Sequence, residues 1–307
     1  MLLENGISHG MTAAQPGAGI KQSVKKQSVE LFSLVPLFVA IVVSLSLVHT
    51  ARASETCSSQ PRHKARIFDI GVHGDIRIEN GITLKLADLH FHGDQQHAAL
   101  PVSLHRDLQS RLNGKSIIYQ IKGREDRYQR VPADIWFEDK VSGLTWLQES
   151  LVRDGKATYM PAKRNRRAAE LRSNCGGISS TIRIPLLRMA EKQARNGKSA
   201  AYLQDFPSIL TASSQRLWQM RGEFAIIEGR VRAVHETNRA VFLNFGDDWK
   251  TDFSVILTPQ LVAILEREAQ GYGGFENLKV QVRGYLDIYY GPSLKVEHEG
   301  QVEFLSQ

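Results

Sequence analysis

The stretch KLADLHFHGDQQH, residues 85–97, packs three histidines and two aspartates into thirteen positions. Imidazole and carboxylate groups at that density do two kinds of work: they ligate a divalent cation, or they move protons. Side chains alternate along an extended segment, so Asp88, His90, His92 and Asp94 would share one face if it were a strand. Such a row of nitrogen and oxygen donors suits manganese, zinc or nickel, with Asp75 upstream as a further oxygen ligand. A solvated polar loop gives the same composition with no ligand at all. On the residues alone both readings stay open.

A second group of residues is cationic. Arg124, Arg127 and Arg130 crowd around Tyr128, and with Lys85 they would form a positive mouth for a polyanion. The run KRNRR holds Lys163, Arg164, Arg166 and Arg167, which would contact phosphates or simply lie on a hydrated loop. Towards the C-terminus, Phe245, Trp249, Tyr285 and Tyr289 would offer faces for bases to stack on; aromatic residues at strand spacing equally well fill a core.

The elements that must carry these residues read as follows. Residues 64–102 alternate with period two and are broken by HGD and ENG, which predicts three antiparallel strands. Apolar residues at helical spacing over 99–114 stop at a glycine. Two strands follow, KSIIYQIKG and RVPADIWFED, then a helix over TWLQESLVRDGKA and another from residue 184 to 202. Three strands, a helix and two strands make a small Greek-key barrel of the OB type. After a mixed stretch the order repeats: three strands, a helix opened by Pro259, and two strands around GPS. The expected fold class is mainly β with helices (α+β). Its parts are a signal or anchor at 1–53, a first OB-type barrel at 54–202, a linker at 203–222 and a second OB-like barrel at 223–307.

Length and charge bound the function. At 307 residues there is room for two domains, and a formal charge of +7 favours acidic partners such as nucleic acid, anionic lipid or a polyanionic envelope. Lysines at 21, 25 and 26 precede the uncharged run LFSLVPLFVAIVVSLSLV, which ends shortly before ARA. Positive flank, apolar core and small-residue site together predict an exported protein, periplasmic or secreted, or membrane-anchored through this segment if it is not cleaved. The only two cysteines, Cys57 and Cys175, lie in the exported part, where an oxidising compartment favours a disulfide over two free thiols. No Cys/His spacing fits a structural zinc knuckle. Oligomeric state is not legible.

Several of these stretches resemble the staphylococcal-nuclease (thermonuclease) family. DRYQRVPADIWFED resembles the family's D-R/K-Y-G-R followed by a strand, WLQESLVRDGKATY its helix ending in L-V-x-x-G-x-A, and LLRMAEKQARNGKSAAY its terminal helix. VHGDIRI and LKLADLHFHG stand where the family has V-D-G-D-T and V-R-L-x-G-I-D-x-P-E. The likeness covers about residues 62–202. LNFGDDWKTDFSV and VRGYL…GPSLKVEHEGQVE resemble the OB-like tail of some exported bacterial members.

The resemblance implies hydrolysis of phosphodiesters by a metal-held water, a carboxylate base and two arginines. Carried over by position, Asp75 matches a metal-binding aspartate and Arg130 one arginine; Lys85 replaces the other, without the bidentate fork. The second metal aspartate becomes His90, which shifts a calcium site towards zinc, manganese or nickel. The catalytic glutamate becomes Gly93, and loss of a general base costs about 10²–10⁴-fold unless Asp94, one residue on, takes its place with a shorter side chain. The expectation is therefore an exported thermonuclease-like protein whose degenerate site binds nucleic acid or another polyanion. The alternatives are an active metal-dependent phosphodiesterase rebuilt on Asp75, His90, His92 and Asp94 with Arg130, and a non-catalytic structural envelope protein.

Overall fold

The computed structural model describes residues 62–91, 99–162, 180–197, 206–269 and 274–305. The signal or anchor segment, Cys57, Cys175, His92, Gly93, Asp94, His97 and the basic run 163–167 lie outside the described residues.

The described chain is mainly β. It opens with β1 (His63–Ile70), β2 (Ile76–Ile78), β3 (Thr83–Leu86) and the short β4 (Leu89–Phe91). Helix α1 (Val102–Leu112) follows, then β5 (Ser116–Ile121), β6 (Arg130–Asp139), β7 (Gly143–Trp146), α2 (Leu147–Arg153), β8 (Ala157–Tyr159) and α3 (Ser180–Asn196). One sheet runs β3-β2-β1-β5-β6-β7, and a further pairing of β3 with β6 closes five of its strands into a barrel. That closing pair is parallel and sets Thr83 opposite Arg130 and Lys85 opposite Pro132. The order is compatible with an OB-like fold.

Period-two alternation decides which side chains fill this barrel. In β3, Leu84 and Leu86 point inward while Lys85 is exposed, and in β2 Ile76 and Ile78 flank an exposed Arg77. Helix α1 plugs the barrel with Leu104, Leu108 and Leu112, spaced four apart on one face. Helix α2 stops where Gly155 takes a positive φ of 70°. There Gly155 N–H donates to the Val152 carbonyl and Lys156 N–H to that of Leu151, the pattern that closes a helix on a left-handed residue.

Three elements depart from the sequence expectation. The segment 64–102 holds four strands rather than three, and β4 leaves the barrel to pair with β8. Residues 143–146, whose last two were expected to open the helix, are the strand β7 instead. Helix α3 starts at Ser180, earlier than the expected 184, and carries Pro185 inside it, one turn beyond its start, where the ring removes an intrahelical hydrogen bond.

The remaining elements are β9 (Ile209–Thr211), β10 (Phe224–Arg230), β11 (Ala233–Glu236), β12 (Val241–Asn244), β13 (Ser254–Leu257), α4 (Pro259–Ala269), β14 (Lys279–Ile288), β15 (Pro292–Lys295) and β16 (Val302–Leu305). They form a second sheet in the order β11-β12-β13-β15-β14-β10-β9, with β16 also on β14. The described part of the expected linker is built into this sheet. Its β9 pairs in parallel with β10, and Leu217 just beyond it is buried.

Buried apolar residues form two clusters, one around Ile67, Leu84, Leu108 and Ile135, the other around Ile227, Leu243, Val255 and Val282. A polar seam joins them. Arg283 of β14 is 2% exposed; its Nη1 donates to Glu191 Oε2 at 2.7 Å and to the Tyr159 carbonyl at 3.0 Å. Arg188 donates to the carbonyls of Gly300 and Val302. A Cβ added to Gly300 would overlap the Tyr159 hydroxyl, so only glycine lets the two parts approach this closely.

Candidate functional site

The closing β3–β6 pair puts the two carried-over cations on one rim. Thr83 sits opposite Arg130, so Lys85 stands one outward position further along the neighbouring strand. Asp75 reaches the same rim because it ends the turn between β1 and β2. That turn is tied by Gly71 N–H donating to the Asp75 carbonyl and Gly74 N–H donating to that of Gly71. Gly74 holds a φ of 80°, and a Cβ there would come within 3.3 Å of the Leu100 and Phe91 side chains.

Asp75, Lys85, Tyr128 and Arg130 all line one open cleft of about 990 Å³. Arg130 Nη1 donates to Asp75 Oδ1 at 3.1 Å; its Nε and Nη2 donate to Asp126 Oδ2 at 3.0 and 2.8 Å. Asp126 also accepts the backbone N–H of Tyr128 and of Arg130, which folds the loop before β6 around one carboxylate. Burial alone would raise the Asp126 carboxyl, but the hydrogen bonds from Arg130 and Tyr128 outweigh it and hold it below the usual carboxylate range. Burial alone would ease the proton off Arg130; its bond to Asp126 and the charges of Asp75 and Asp126 raise it instead.

Tyr128 is half exposed beside these groups, with the guanidinium carbons of Arg127 and Arg130 at 4.8 and 5.0 Å from its ring centre. Arg127 also donates to the Tyr128 hydroxyl, and Arg124 is exposed earlier in the same loop. Gln129 stands at a φ of 60°, at the position where the D-R-Y-G-R pattern has glycine. Among the described residues Lys85 has no carboxylate partner; Arg77 is paired with Asp69 and Arg130 with Asp75 and Asp126.

Of the expected metal row only Asp88 and His90 are described, and these two do not share a face. Asp88 sits in a turn at a φ of 59° before β4, and its carboxylate faces Arg183 Nε at 2.8 Å and the N–H of Ala162 at 2.8 Å. It therefore does not continue the extended face of His90. His90 itself is 7% exposed, stacked on Phe224 at 4.3 Å, with Nδ1 3.1 Å from the Tyr285 hydroxyl. Among the described residues no three histidine, cysteine or acidic side chains come together as a metal set. Asp75 and His90 line the same cleft, and among the described residues no third donor joins them.

Nor do the aromatic candidates share a surface. Phe245 packs on Phe253, and Trp249 and Tyr289 meet through Tyr290 on a separate exposed patch. Tyr285 is the one that reaches the cleft. Sequence reasoning missed His73, Asp69, Arg77 and His105, which also line it. The motif VHGDIRI held the signal for His73 and Arg77; His105, whose Nε2 lies 2.9 Å from the Ile70 carbonyl, looks like any polar helix residue. No protein-family model matches the chain, and no curated protein matches it.

Proposed function

We propose that the protein binds nucleic acid or another phosphate-bearing polyanion in the cleft of its five-stranded barrel, in a thermonuclease-like site that no longer hydrolyses. The observation that carries this is the closure of β3 on β6, which gathers Lys85, Arg130, Asp75 and half-exposed Tyr128 on one rim. Lys85, without a carboxylate partner among the described residues, is the cation most ready to meet a phosphate. Arg130 can exchange its half-open pair with Asp75 for a phosphate oxygen, keeping Asp126 as its anchor.

Two positions argue against hydrolysis. The position of the family's base is Gly93, and His90, at the place of its second metal aspartate, is engaged with Phe224 and Tyr285. The second sheet, whose path begins on β11 and ends on β10 and β9 with only Val231 and Arg232 between β10 and β11, reads as a second OB-type barrel bent around its first strand. With the N-terminal segment this gives an exported two-barrel binding protein.

The test is to titrate the full chain with single-stranded DNA and RNA across a salt series, and to incubate both with calcium, manganese and zinc. The expected result is salt-sensitive binding without cleavage, with Lys85→Ala lowering the salt slope by about 1. Cleavage in manganese or zinc that Asp75→Ala and Arg130→Ala both abolish would overturn it in favour of a rebuilt hydrolase. Binding that ignores salt would leave a structural protein.

A further inference from the structure

We propose that Tyr285, a residue of the second sheet, is a stacking residue of the first barrel's cleft and restricts its ligand to nucleic acid with unpaired bases. The inference rests on the polyanion reading above and narrows it.

Tyr285 lies on β14, which belongs to the C-terminal core, yet it lines the same cleft as Lys85, Tyr128 and Arg130. Its ring is fixed from two sides. It pairs across the sheet with Phe224, whose ring it meets at 71°, and it meets the ring of His90 at 79°. Its hydroxyl is 3.1 Å from His90 Nδ1, while Phe224 and His90 stack on one another at 4.3 Å. These contacts hold the phenol nearly perpendicular to a stacked pair, and 39% of the residue remains exposed. A pre-set aromatic ring loses little freedom when a flat ligand covers it.

Cations alone recognise any polyanion; cations beside exposed, pre-oriented rings recognise one whose flat groups are available. In a duplex each base is already covered on both sides, so only its phosphates could use this cleft. In a single strand Lys85 and Arg130 would take the backbone while Tyr285 covers a base. The second core thereby supplies selectivity to a charge site that the first core builds.

The experiment measures binding of the full chain to a single-stranded oligonucleotide, to the duplex of the same sequence, and to inorganic polyphosphate, which has no rings. The variants are Tyr285→Ala, Tyr285→Phe and Lys85→Ala, each checked for an unchanged unfolding transition; Tyr285→Leu replaces the alanine variant if that one unfolds. The wild type should prefer the single strand. Removing the ring should weaken that affinity by about tenfold while barely changing polyphosphate binding. Tyr285→Phe should keep it, and Lys85→Ala should weaken all three. If Tyr285→Ala leaves single-strand affinity intact while Lys85→Ala reduces it, the stacking role is overturned and the polyanion site stands. If the wild type binds none of the three probes in a salt-sensitive way, the polyanion reading falls and this inference with it.

Discussion

Arg130 and Arg283 are the same side chain answering to carboxylates in two places, and they differ in what surrounds the pair. Arg130 is 17% exposed, and its partners Asp75 and Asp126 are 21% and 30% exposed. Arg283 is 2% exposed and Glu191 4%, and the same guanidinium also satisfies the Tyr159 carbonyl and Gln281. A half-open pair can trade a carboxylate for an incoming anion, because water and the remaining partner cover the exchange. A sealed pair cannot, since the acceptors it releases stay buried away from the water that would replace it. On this argument only an ion pair that meets solvent can open to an incoming anion.

The largest expected effect breaks the sealed pair. Arg283→Ala strands the Tyr159 carbonyl and leaves Glu191 with Arg195 as its remaining cation, and should cost about 3 kcal/mol in denaturant unfolding. Arg283→Lys should recover little, because one ammonium cannot span acceptors that the planar fork reaches together. A cost below about 1 kcal/mol would mean that the apolar contacts alone join the cores, and the comparison would lose its structural half.

Arg130→Ala should behave in the opposite way. It should cost only about 1–2 kcal/mol of stability, since its carboxylates become hydrated when it leaves, yet lower the salt slope of polyanion binding by about 1. If its stability cost matched that of Arg283→Ala, the rim would be a structural pair and not a site.

Asp126→Asn sharpens the same contrast through pH. The folded carboxyl is held below its ordinary value of 3.8, so ionised Asp126 stabilises the loop fully above that value. The contribution fades as pH falls through the lower folded value, once the carboxylate is protonated in both states. The variant should therefore be about 1 kcal/mol less stable than the wild type at neutral pH, and the gap should close on acidification. A gap that stays constant below pH 3 would assign the loss to shape and not to charge.

What the sequence made legible follows from how local each signal is. Alternation in β3 and the leucines at 104, 108 and 112 announce their elements without help from the rest of the chain. The rim of Asp75, Lys85 and Arg130 was reachable because short motifs carry those residues. Where signals failed, the cause was tertiary. Asp88 belongs to the alternating row on paper, but Arg183, ninety-five positions away, fixes it in a turn by a contact no spacing encodes. His90 has the chemistry of a ligand, yet Phe224 and Tyr285 pack against it, and both come from the second sheet. The same contact carries Tyr285 into the cleft, where sequence spacing grouped it with Trp249 and Tyr289 instead.

The smallest expected effect lies in the loop that presents Arg130. Gln129 is held at a φ of 60°, where a side chain's Cβ crowds the following carbonyl at a cost of about 1–2 kcal/mol that glycine escapes. Glycine returns part of that gain because it also frees the unfolded chain, by about 0.4–1 kcal/mol. Gln129→Gly should therefore stabilise the protein by about 0.5 kcal/mol net, seen as a small rise in the unfolding midpoint. Polyanion affinity should not change, because the Gln129 N–H still donates to the Asp126 carbonyl at 2.9 Å and Asp126 still holds Arg130. A loss of stability instead would show that the Gln129 side chain contributes contacts worth more than its backbone costs. A loss of affinity alone would show that the loop before β6 must be stiff, and not merely folded, to aim Arg130 into the cleft.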